Sequence, residues 1–147
     1  MSDFIVDASV VAKWFVTEND SDRARSLTEK RHYLRAPDLL LSELANVVWK
    51  RAMRGEVTSD EGESILKIFL ERHIDVTLRL LPARILIKQA WQIAHAEGRS
   101  LYDSLYLATA VQARCRLITA DARFVRAIKN PMLKPHIVSL NDAGLEL

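Results

Sequence analysis

The sequence predicts an α/β sandwich built around a mostly parallel β-sheet. Short apolar runs rich in β-branched residues alternate along the chain with longer segments of helical periodicity. This alternation is typical of units in which a helix connects two parallel strands. Four glycines and four prolines in 147 residues are too few for a turn-rich all-β sandwich. In an open α/β sheet, functional sites form at the carboxyl ends of the strands.

Length and composition indicate one globular domain over residues 1–147. Hydrophobic residues make up 49% and charged residues 27% of the chain, and the net charge of +2 gives only weak support for a nucleic-acid partner. The single cysteine, Cys115, excludes an internal disulfide and fits a reducing compartment. We find no signal peptide and no apolar run near the roughly 18 residues of a membrane span. We therefore expect a cytoplasmic protein without a membrane partner.

The first half of the chain is predicted to hold one clear strand and a series of helices. The strand covers residues 3–7, and a helix follows it directly. A polar surface helix is expected over residues 21–32. Pro37 disfavours helical backbone just before it, so an extended segment leads into a helix over about 38–54. Threonine and serine, both good N-cap residues, open a further helix over 58–73.

The second half continues the alternation of strands and helices. The segment IDVTLRLL alternates in polarity and predicts a strand, and the next helix has a proline near its start and a glycine at its end. The predicted elements are a strand over 74–81, helices over 82–98 and 100–115, a strand over 116–120, a helix over 121–130 and a last strand over 135–140. Strands from both halves of the chain can therefore join one sheet.

Two aspartates stand where predicted strands end. Asp7 ends the segment DFIVD, and Asp121 follows LITA. Both positions lie at the edge where an open α/β sheet builds its site. Aspartate is also a preferred helix N-cap residue, worth about 1 kcal/mol, and each of the two precedes a predicted helix. Capping and function are equally good interpretations of either residue taken alone.

Two further carboxylates lie on apolar helix faces. Glu43 lies beyond the first turn of its helix, with Leu40 and Val47 as helical neighbours. Glutamate is rarely buried without a partner, and a solvated position at the edge of the apolar stripe is the alternative. Asp103 fits the acidic position of a capping box begun by Ser100, which is the better interpretation of Asp103 alone.

Taken together, the four carboxylates predict a metal site. Two strand-end aspartates and two carboxylates on apolar helix faces can converge, and their repulsion raises some pKa values unless a cation lies between them. Clustered oxygen ligands with open water positions suit Mg²⁺ or Mn²⁺. A metal held in this way activates water and neutralises a phosphate, so the predicted chemistry is phosphodiester hydrolysis.

Other kinds of site find little support in the sequence. There is no GxSxG elbow, no GxGxxG or P-loop motif, and no pair of histidines four residues apart. A receiver-like phosphoacceptor domain also gathers acids at strand ends. That class requires paired acids after the first strand and a lysine at the end of the last, whereas Ala8 and Ser9 follow Asp7 and the segment HIVSL has no lysine.

Four segments of the chain resemble, in order, the signature segments of PIN-domain nucleases, especially VapC-type toxins of bacterial toxin–antitoxin pairs. These are IVDASVVAKWF, LLLSELANVVWKR, SLYDSLYLATA and LITADARF, which together span residues 5–124. The resemblance implies a three-layer α/β/α sandwich with a central parallel sheet, and a Mg²⁺- or Mn²⁺-dependent endoribonuclease. The alternative is a catalytically inactive PIN-like module that binds RNA or a protein, against which the intact carboxylates argue.

The resemblance also assigns roles to residues. The acidic quartet comprises Asp7, Glu43, Asp103 and Asp121, and the supporting polar positions are Ser9, Asn46 and Thr119. Asp7 and Asp103 are expected to be the main metal ligands. Asp121 would bind the metal directly or through water, and Glu43 would hold a water or act as general base. The family often has a further acidic residue just after the last aspartate, which residues 122–125 do not supply. Family chemistry leaves a 5′-phosphate and a 3′-hydroxyl.

Three partners are expected: RNA, an antitoxin protein and a second copy of the chain. Basic residues at the rim of the pocket are candidate phosphate contacts or simply a solvated charged face, namely Lys13, Lys50, Arg51, Arg54, Arg123 and Arg126. Tyr102 and Tyr106 either stack on bases or belong to the core. The resemblance implies an antitoxin segment that inserts an arginine into the acidic pocket. Residues 39–49 and 65–70 carry more apolar surface than core packing needs. We expect the rest of this surface to form interfaces with the antitoxin and with a second copy of the chain.

Overall fold

The computed structural model describes residues 2–29 and 32–147, which form a five-stranded parallel sheet flanked by helices. The strands are β1 (Ser2–Val6), β2 (His32–Pro37), β3 (Leu78–Leu81), β4 (Arg116–Thr119) and β5 (Ile137–Ser139). Their order across the sheet is β3-β2-β1-β4-β5, and every neighbouring pair is parallel. The carboxyl ends of β1 and β4 therefore lie side by side at the centre of the sheet.

Seven helices connect and cover these strands in the described residues. They are α1 (Ala8–Val11), α2 (Ser21–Ser26), α3 (Leu39–Met53), α4 (Ser59–Ile68), α5 (Ile87–Glu97), α6 (Leu101–Ala113) and α7 (Ala122–Ala127). Helix α6 packs along β1, β2 and β4 and against α5, while α3 packs on α1 and α4. This arrangement confirms the predicted α/β sandwich. None of the described helices has both the length and the apolar character that crossing a membrane requires.

The central strand β1 is buried because helices cover the parallel sheet. Phe4, Ile5 and Val6 have almost no exposed surface, as expected for an uninterrupted apolar strand of a parallel sheet. Helix α6 is buried along its middle, where every residue over 104–110 is inaccessible to solvent. Asp103 stands immediately before this buried stretch, at the end of α6 that faces the strand ends.

Local signals set the ends of several helices as the sequence predicts. The hydroxyl of Thr58 accepts a hydrogen bond from the backbone of Glu61, the side chain of Glu61 accepts one from the backbone of Thr58, and this capping box starts α4. Gly98 ends α5 with a left-handed backbone, at φ +69°. The side chain of Ser100 then caps α6. These caps satisfy backbone groups that helix ends leave without partners.

Three elements differ from the prediction. The polar helix α2 ends at Ser26 rather than near residue 32, and residues 30 and 31 lie outside the described range. Strand β3 begins only at Leu78, because Asp75 has φ +62° and the chain turns over 75–77. The helix predicted from residue 82 starts as a 3₁₀ turn over Ala83–Leu86.

Candidate active site

Asp7 follows β1 directly, and its carboxylate is tied to the end of β4. Oδ2 accepts a 2.7 Å hydrogen bond from Oγ1 of Thr119, and Oδ1 lies 3.5 Å from the backbone nitrogen of Ser9. The latter contact caps α1, so the capping interpretation is correct for Asp7. The residue is only 8% exposed. Burial raises the pKa of Asp7, the Thr119 hydrogen bond lowers it, and the charge of Asp103 raises it further.

Thr119 and Ser9 join the loops that follow β1 and β4. The hydroxyl of Thr119 accepts a 3.1 Å hydrogen bond from the backbone of Asp121 while it donates to Asp7. The hydroxyl of Ser9 accepts a 3.1 Å bond from the backbone of Ala120. Both residues therefore fix the two strand-end aspartates relative to each other. The third supporting residue, Asn46, is exposed on α3 and forms no hydrogen bond with the quartet, all of which lies in the described residues.

Glu43 projects from α3 and is half-buried. Burial raises its pKa, the hydroxyl of Tyr106 beside it lowers it, and the charges of Asp7 and Asp103 raise it further. Its buried Oε1 atom makes no hydrogen bond of good geometry in the described part of the chain, and neither does the nearby hydroxyl of Tyr106. Buried polar atoms of this kind call for a water or an ion to satisfy them.

Tyr106 belongs to the core and lies beneath the site. It is 1% exposed, so it cannot stack on a base, whereas Tyr102 on the same helix is 62% exposed. Burial, with the charges of Asp7 and Glu43, raises the pKa of Tyr106, and the phenol therefore stays neutral. A neutral hydroxyl at this point is a donor for a carboxylate or for water.

Asp103 occupies the third position of α6, and only half of the predicted capping box forms. Its backbone N–H donates to Oγ of Ser100 at 3.1 Å. Its carboxylate does not return a bond to Ser100 but accepts one from Nη2 of Arg99 at 2.7 Å. The helix cap thus satisfies the backbone N–H of Asp103, and the ion pair with Arg99 compensates the charge of its carboxylate.

Asp121 starts α7 and completes the group. Its Oδ1 accepts bonds from the backbones of Arg123 at 3.0 Å and Phe124 at 3.3 Å. Its Oδ2 lies 3.5 Å from the same Nη2 of Arg99 that binds Asp103. Arg99 therefore bridges two members of the quartet. The sequence patterns do not single out Arg99, although it lies only four residues before Asp103.

The donor set fits a hard divalent cation, although the side chains are not yet in coordinating positions. Asp7, Glu43 and Asp103 lie close enough for their charges to act on one another. Over residues 2–29 and 32–147, no three Asp, Glu, His or Cys side chains are already arranged to hold a metal. Hydrogen bonds from Thr119 and Arg99 occupy the carboxylates instead. Crowded carboxylates with a buried, unpaired oxygen are the kind of donor set that Mg²⁺ or Mn²⁺ prefers.

A groove of about 320 Å³ adjoins Asp121 and continues past Lys13 and Arg51. Lys13 lies 2.7 Å from Glu18 and 2.9 Å from Asp20, and Arg51 also pairs with Glu18. These two predicted phosphate contacts are thus engaged in internal ion pairs. The other four basic residues of the predicted rim are exposed, namely Lys50, Arg54, Arg123 and Arg126.

Comparison with known proteins assigns the chain to a family. The PIN domain model matches residues 4–130, and the chain belongs to the PIN-domain family. Ribonuclease VapC3 of Pyrobaculum aerophilum is 32% identical over 117 residues, which is 80% of this chain and 88% of that protein.

Two solved structures share the fold at low sequence identity. VapBC2 from Rickettsia felis, bound to a DNA fragment from its promoter, aligns with a TM-score of 0.62 at 16% identity, over 93% of this chain and 98% of that chain. Mycobacterium tuberculosis VapC20, described as a toxin that cleaves the sarcin–ricin loop, aligns with a TM-score of 0.61 at 18% identity, over 84% and 94% of the two chains. These likenesses establish the architecture.

Proposed function

We propose that this protein is a Mg²⁺- or Mn²⁺-dependent endoribonuclease and the toxin of a type II toxin–antitoxin pair, acting in the cytoplasm as one catalytic domain. The observation that carries the proposal is the convergence of Asp7, Glu43 and Asp103 beside the carboxyl ends of β1 and β4, with Asp121 joined to them through Thr119. The ribonuclease names of its relatives support the same reaction.

The chain's own groups divide the work of phosphodiester hydrolysis. When bound, a divalent cation supplies charge neutralisation for the phosphate and activation of a water. Asp7 and Asp103 would hold the cation, and Asp121 would support it directly or through water. Glu43 orients the attacking water and takes its proton, because its unpaired buried oxygen is available and a raised carboxyl pKa makes a better base near neutrality. The products carry a 5′-phosphate and a 3′-hydroxyl.

RNA is proposed to enter along the groove beside Asp121. Lys13 and Arg51 line it, and Glu18 holds both of them in place until phosphates compete for them. Tyr102, exposed near the amino end of α6, offers a ring on which an unpaired base can stack. The internal ion pairs keep the side chains of Lys13 and Arg51 ordered in the absence of RNA. Less side-chain entropy is therefore lost when RNA binds.

The exposed apolar surface of α3 and of the end of α4 is proposed to bind the antitoxin. Trp49 and Met53 on α3 are 56% and 66% exposed, and Leu70 just beyond α4 is 55% exposed. Side chains of this size exposed together typically mark an interface. On α5, Trp91 and Ile87 are also exposed, and we assign this second patch to a homodimer contact.

The proposal is tested by incubating total cellular RNA with purified, antitoxin-free protein in Mg²⁺, in Mn²⁺ and in chelator. We expect discrete fragments with 5′-phosphate ends in either metal and intact RNA in chelator. End-mapping of the fragments then identifies the target. A folded protein that retains RNA but cleaves none under either metal would contradict the proposal and favour a binding module.

A further inference from the structure

Arg99 lies where two of the proposed metal ligands meet. Its Nη2 is 2.7 Å from Oδ2 of Asp103 and 3.5 Å from Oδ2 of Asp121, and its side chain is only 22% exposed. One guanidinium thus serves as the counter-ion of two carboxylates that come from different parts of the chain. In this structure an arginine of the chain itself neutralises part of the acidic site.

Two neighbouring features hold Arg99 at the mouth of the site. Its guanidinium carbon lies 4.9 Å above the ring of Phe124, in a cation–π contact. The left-handed backbone of Gly98 turns the chain sharply between α5 and α6 just before Arg99. This contact with Phe124 does not depend on the carboxylates, so the guanidinium can leave them and still remain beside the site.

The arrangement leaves the guanidinium incompletely paired. Nε of Arg99 is buried and has no acceptor among the described residues, and both of its short contacts come from a single nitrogen. A guanidinium normally pairs with carboxylate or phosphate through two parallel N–H groups. The present contacts therefore do not use two parallel N–H groups of Arg99. An anion with two suitably spaced oxygens would accept hydrogen bonds from both groups.

A metal ion and Arg99 compete for the same carboxylate. Oδ2 of Asp103 accepts from Arg99 and belongs to a carboxylate assigned to the metal. A divalent cation at this carboxylate would repel the guanidinium and compete with it for the same negative charge. Metal binding therefore disfavours the present position of Arg99, and Arg99 weakens metal binding.

We propose that Arg99 exchanges partners during the reaction: it pairs with Asp103 and Asp121 in the metal-free protein and binds an RNA phosphate once a divalent cation holds the carboxylates. The inference rests on the proposed metal site and adds a substrate-binding residue to it. It also makes the internal arginine a competitor of the metal, which sets how much Mg²⁺ or Mn²⁺ the site needs.

The first test measures Mn²⁺ binding to metal-free protein by calorimetry, without RNA. The variants are Arg99→Gln and, as the matched control, Arg114→Gln, which removes an exposed arginine at the other end of α6, about 16 Å along the helix axis from Asp103. We expect Arg99→Gln to bind Mn²⁺ about three- to tenfold more tightly than wild type, and the control to bind within about twofold. Equal Mn²⁺ affinity of Arg99→Gln and wild type would overturn the proposed competition between Arg99 and the metal.

The same titration separates this inference from the proposed function. If neither wild type nor Arg99→Gln binds Mn²⁺, the metal site itself is wrong and the exchange is wrong with it. If wild type binds Mn²⁺ and Arg99→Gln binds it no better, the metal site stands and only the role of Arg99 is wrong. Binding by Arg99→Gln at concentrations where wild type binds none would be the strongest form of support.

The second test examines the phosphate contact with a short RNA substrate under saturating Mn²⁺. We expect Arg99→Gln to raise KM by about tenfold with a smaller effect on kcat, and to reduce the salt dependence of log KM by about 0.7, the loss of one phosphate contact on a single strand. Arg99→Lys keeps the charge and should retain that salt slope, with an intermediate KM. An unchanged KM and salt slope in Arg99→Gln would overturn the phosphate contact.

Discussion

At the scale of single residues, the four carboxylates have structural contacts as well as a place in the site. Asp7 and Asp121 each cap a short helix, and the backbone of Asp103 is capped by Ser100. Helix capping and function are thus compatible at these positions. The reason is geometric, because a residue that ends a parallel strand also precedes the next helix at the edge where sites form.

Thr119 provides a test of how Asp7 is held. Replacing it by valine keeps its shape but leaves Oδ2 of buried Asp7 without its donor, and we expect a loss of about 1–3 kcal/mol in the free energy of unfolding. When Asp7 is replaced by asparagine, Thr119→Val should cause a smaller loss in the free energy of unfolding, because the buried carboxylate that needs the donor is then absent. Denaturant unfolding of the two single variants and the double variant measures this coupling.

Thr109→Val is the matched control for this cycle. Thr109 is equally buried, but its hydroxyl bonds only to the carbonyl of Leu105 within α6. Its effect should add to that of Asp7→Asn without coupling. If Thr119→Val is also additive with Asp7→Asn, the hydrogen bond does not hold the carboxylate.

Glu43 provides a test of the repulsion among the carboxylates. Folding raises its pKa above the ordinary value of 4.5, so its contribution to stability is fully present below about pH 4.5 and is lost as pH rises through the folded-state pKa. In metal-free protein, Glu43→Gln should therefore raise Tm at pH 8 by up to about 4 °C and change it little at pH 4.

The control for Glu43 is Glu63→Gln, which alters an exposed glutamate on α4. Its Tm should follow wild type at both pH values. A fall in Tm of Glu43→Gln at pH 8 would mean that the carboxylate stabilises the metal-free fold, and the repulsion argued for the site would be absent.

At the scale of elements, the sequence predicts most helices and strands but misplaces some ends. Helices α4 and α6 begin at the predicted cap residues, because capping is a local interaction between near neighbours. Helix α3 also begins close to its predicted start, although the side chain of Asp38 makes no capping bond. Strand β3 starts late because Asp75 adopts a left-handed backbone, which alternation of polarity does not reveal. Helix α2 ends early, where the hydroxyls of Ser26 and Thr28 bond to nearby carbonyls and compete with helical hydrogen bonds.

Gly98 joins α5 to α6 and offers a prediction at this scale. Its φ of +69° is strained for alanine, although an added Cβ would meet no atom within 4 Å. We expect Gly98→Ala to lower the free energy of unfolding by about 1 kcal/mol, and Gly98→Asn to cost less because asparagine tolerates this region. Denaturant unfolding of both variants measures the difference, and an alanine variant as stable as wild type would contradict this account.

At the scale of the whole molecule, the sheet order creates the site. Asp7 and Asp121 are far apart in sequence, and they meet because β1 and β4 are neighbours. The alternation of elements predicts a parallel sheet but not the order of its strands. The positions of the carboxylates at strand ends and on apolar helix faces allow the quartet to converge, and the resemblance to PIN domains supports the same arrangement. Neither predicts the exposed position of Asn46.

The charged side chains around the quartet show what the sequence leaves undetermined. The ion pairs of Lys13 and Arg51 depend on Glu18, which lies in a loop whose path only the folded chain defines. Arg99 lies near Asp103 in sequence but just outside α6, so helical spacing does not predict their ion pair, and its approach to Asp121 depends on tertiary structure. Long-range electrostatic contacts require the fold, whereas caps and strand ends do not.

The initial rate of RNA cleavage by the quartet variants in saturating Mn²⁺ tests most directly whether the four carboxylates form the active site. We expect the cleavage rate to fall about 10²-fold or more in each of four variants that remain folded, namely Asp7→Asn, Glu43→Gln, Asp103→Asn and Asp121→Asn. Asp60→Asn, which changes an exposed aspartate on α4, should keep the wild-type rate. Wild-type cleavage by any folded quartet variant would contradict the assignment of that carboxylate to the active site.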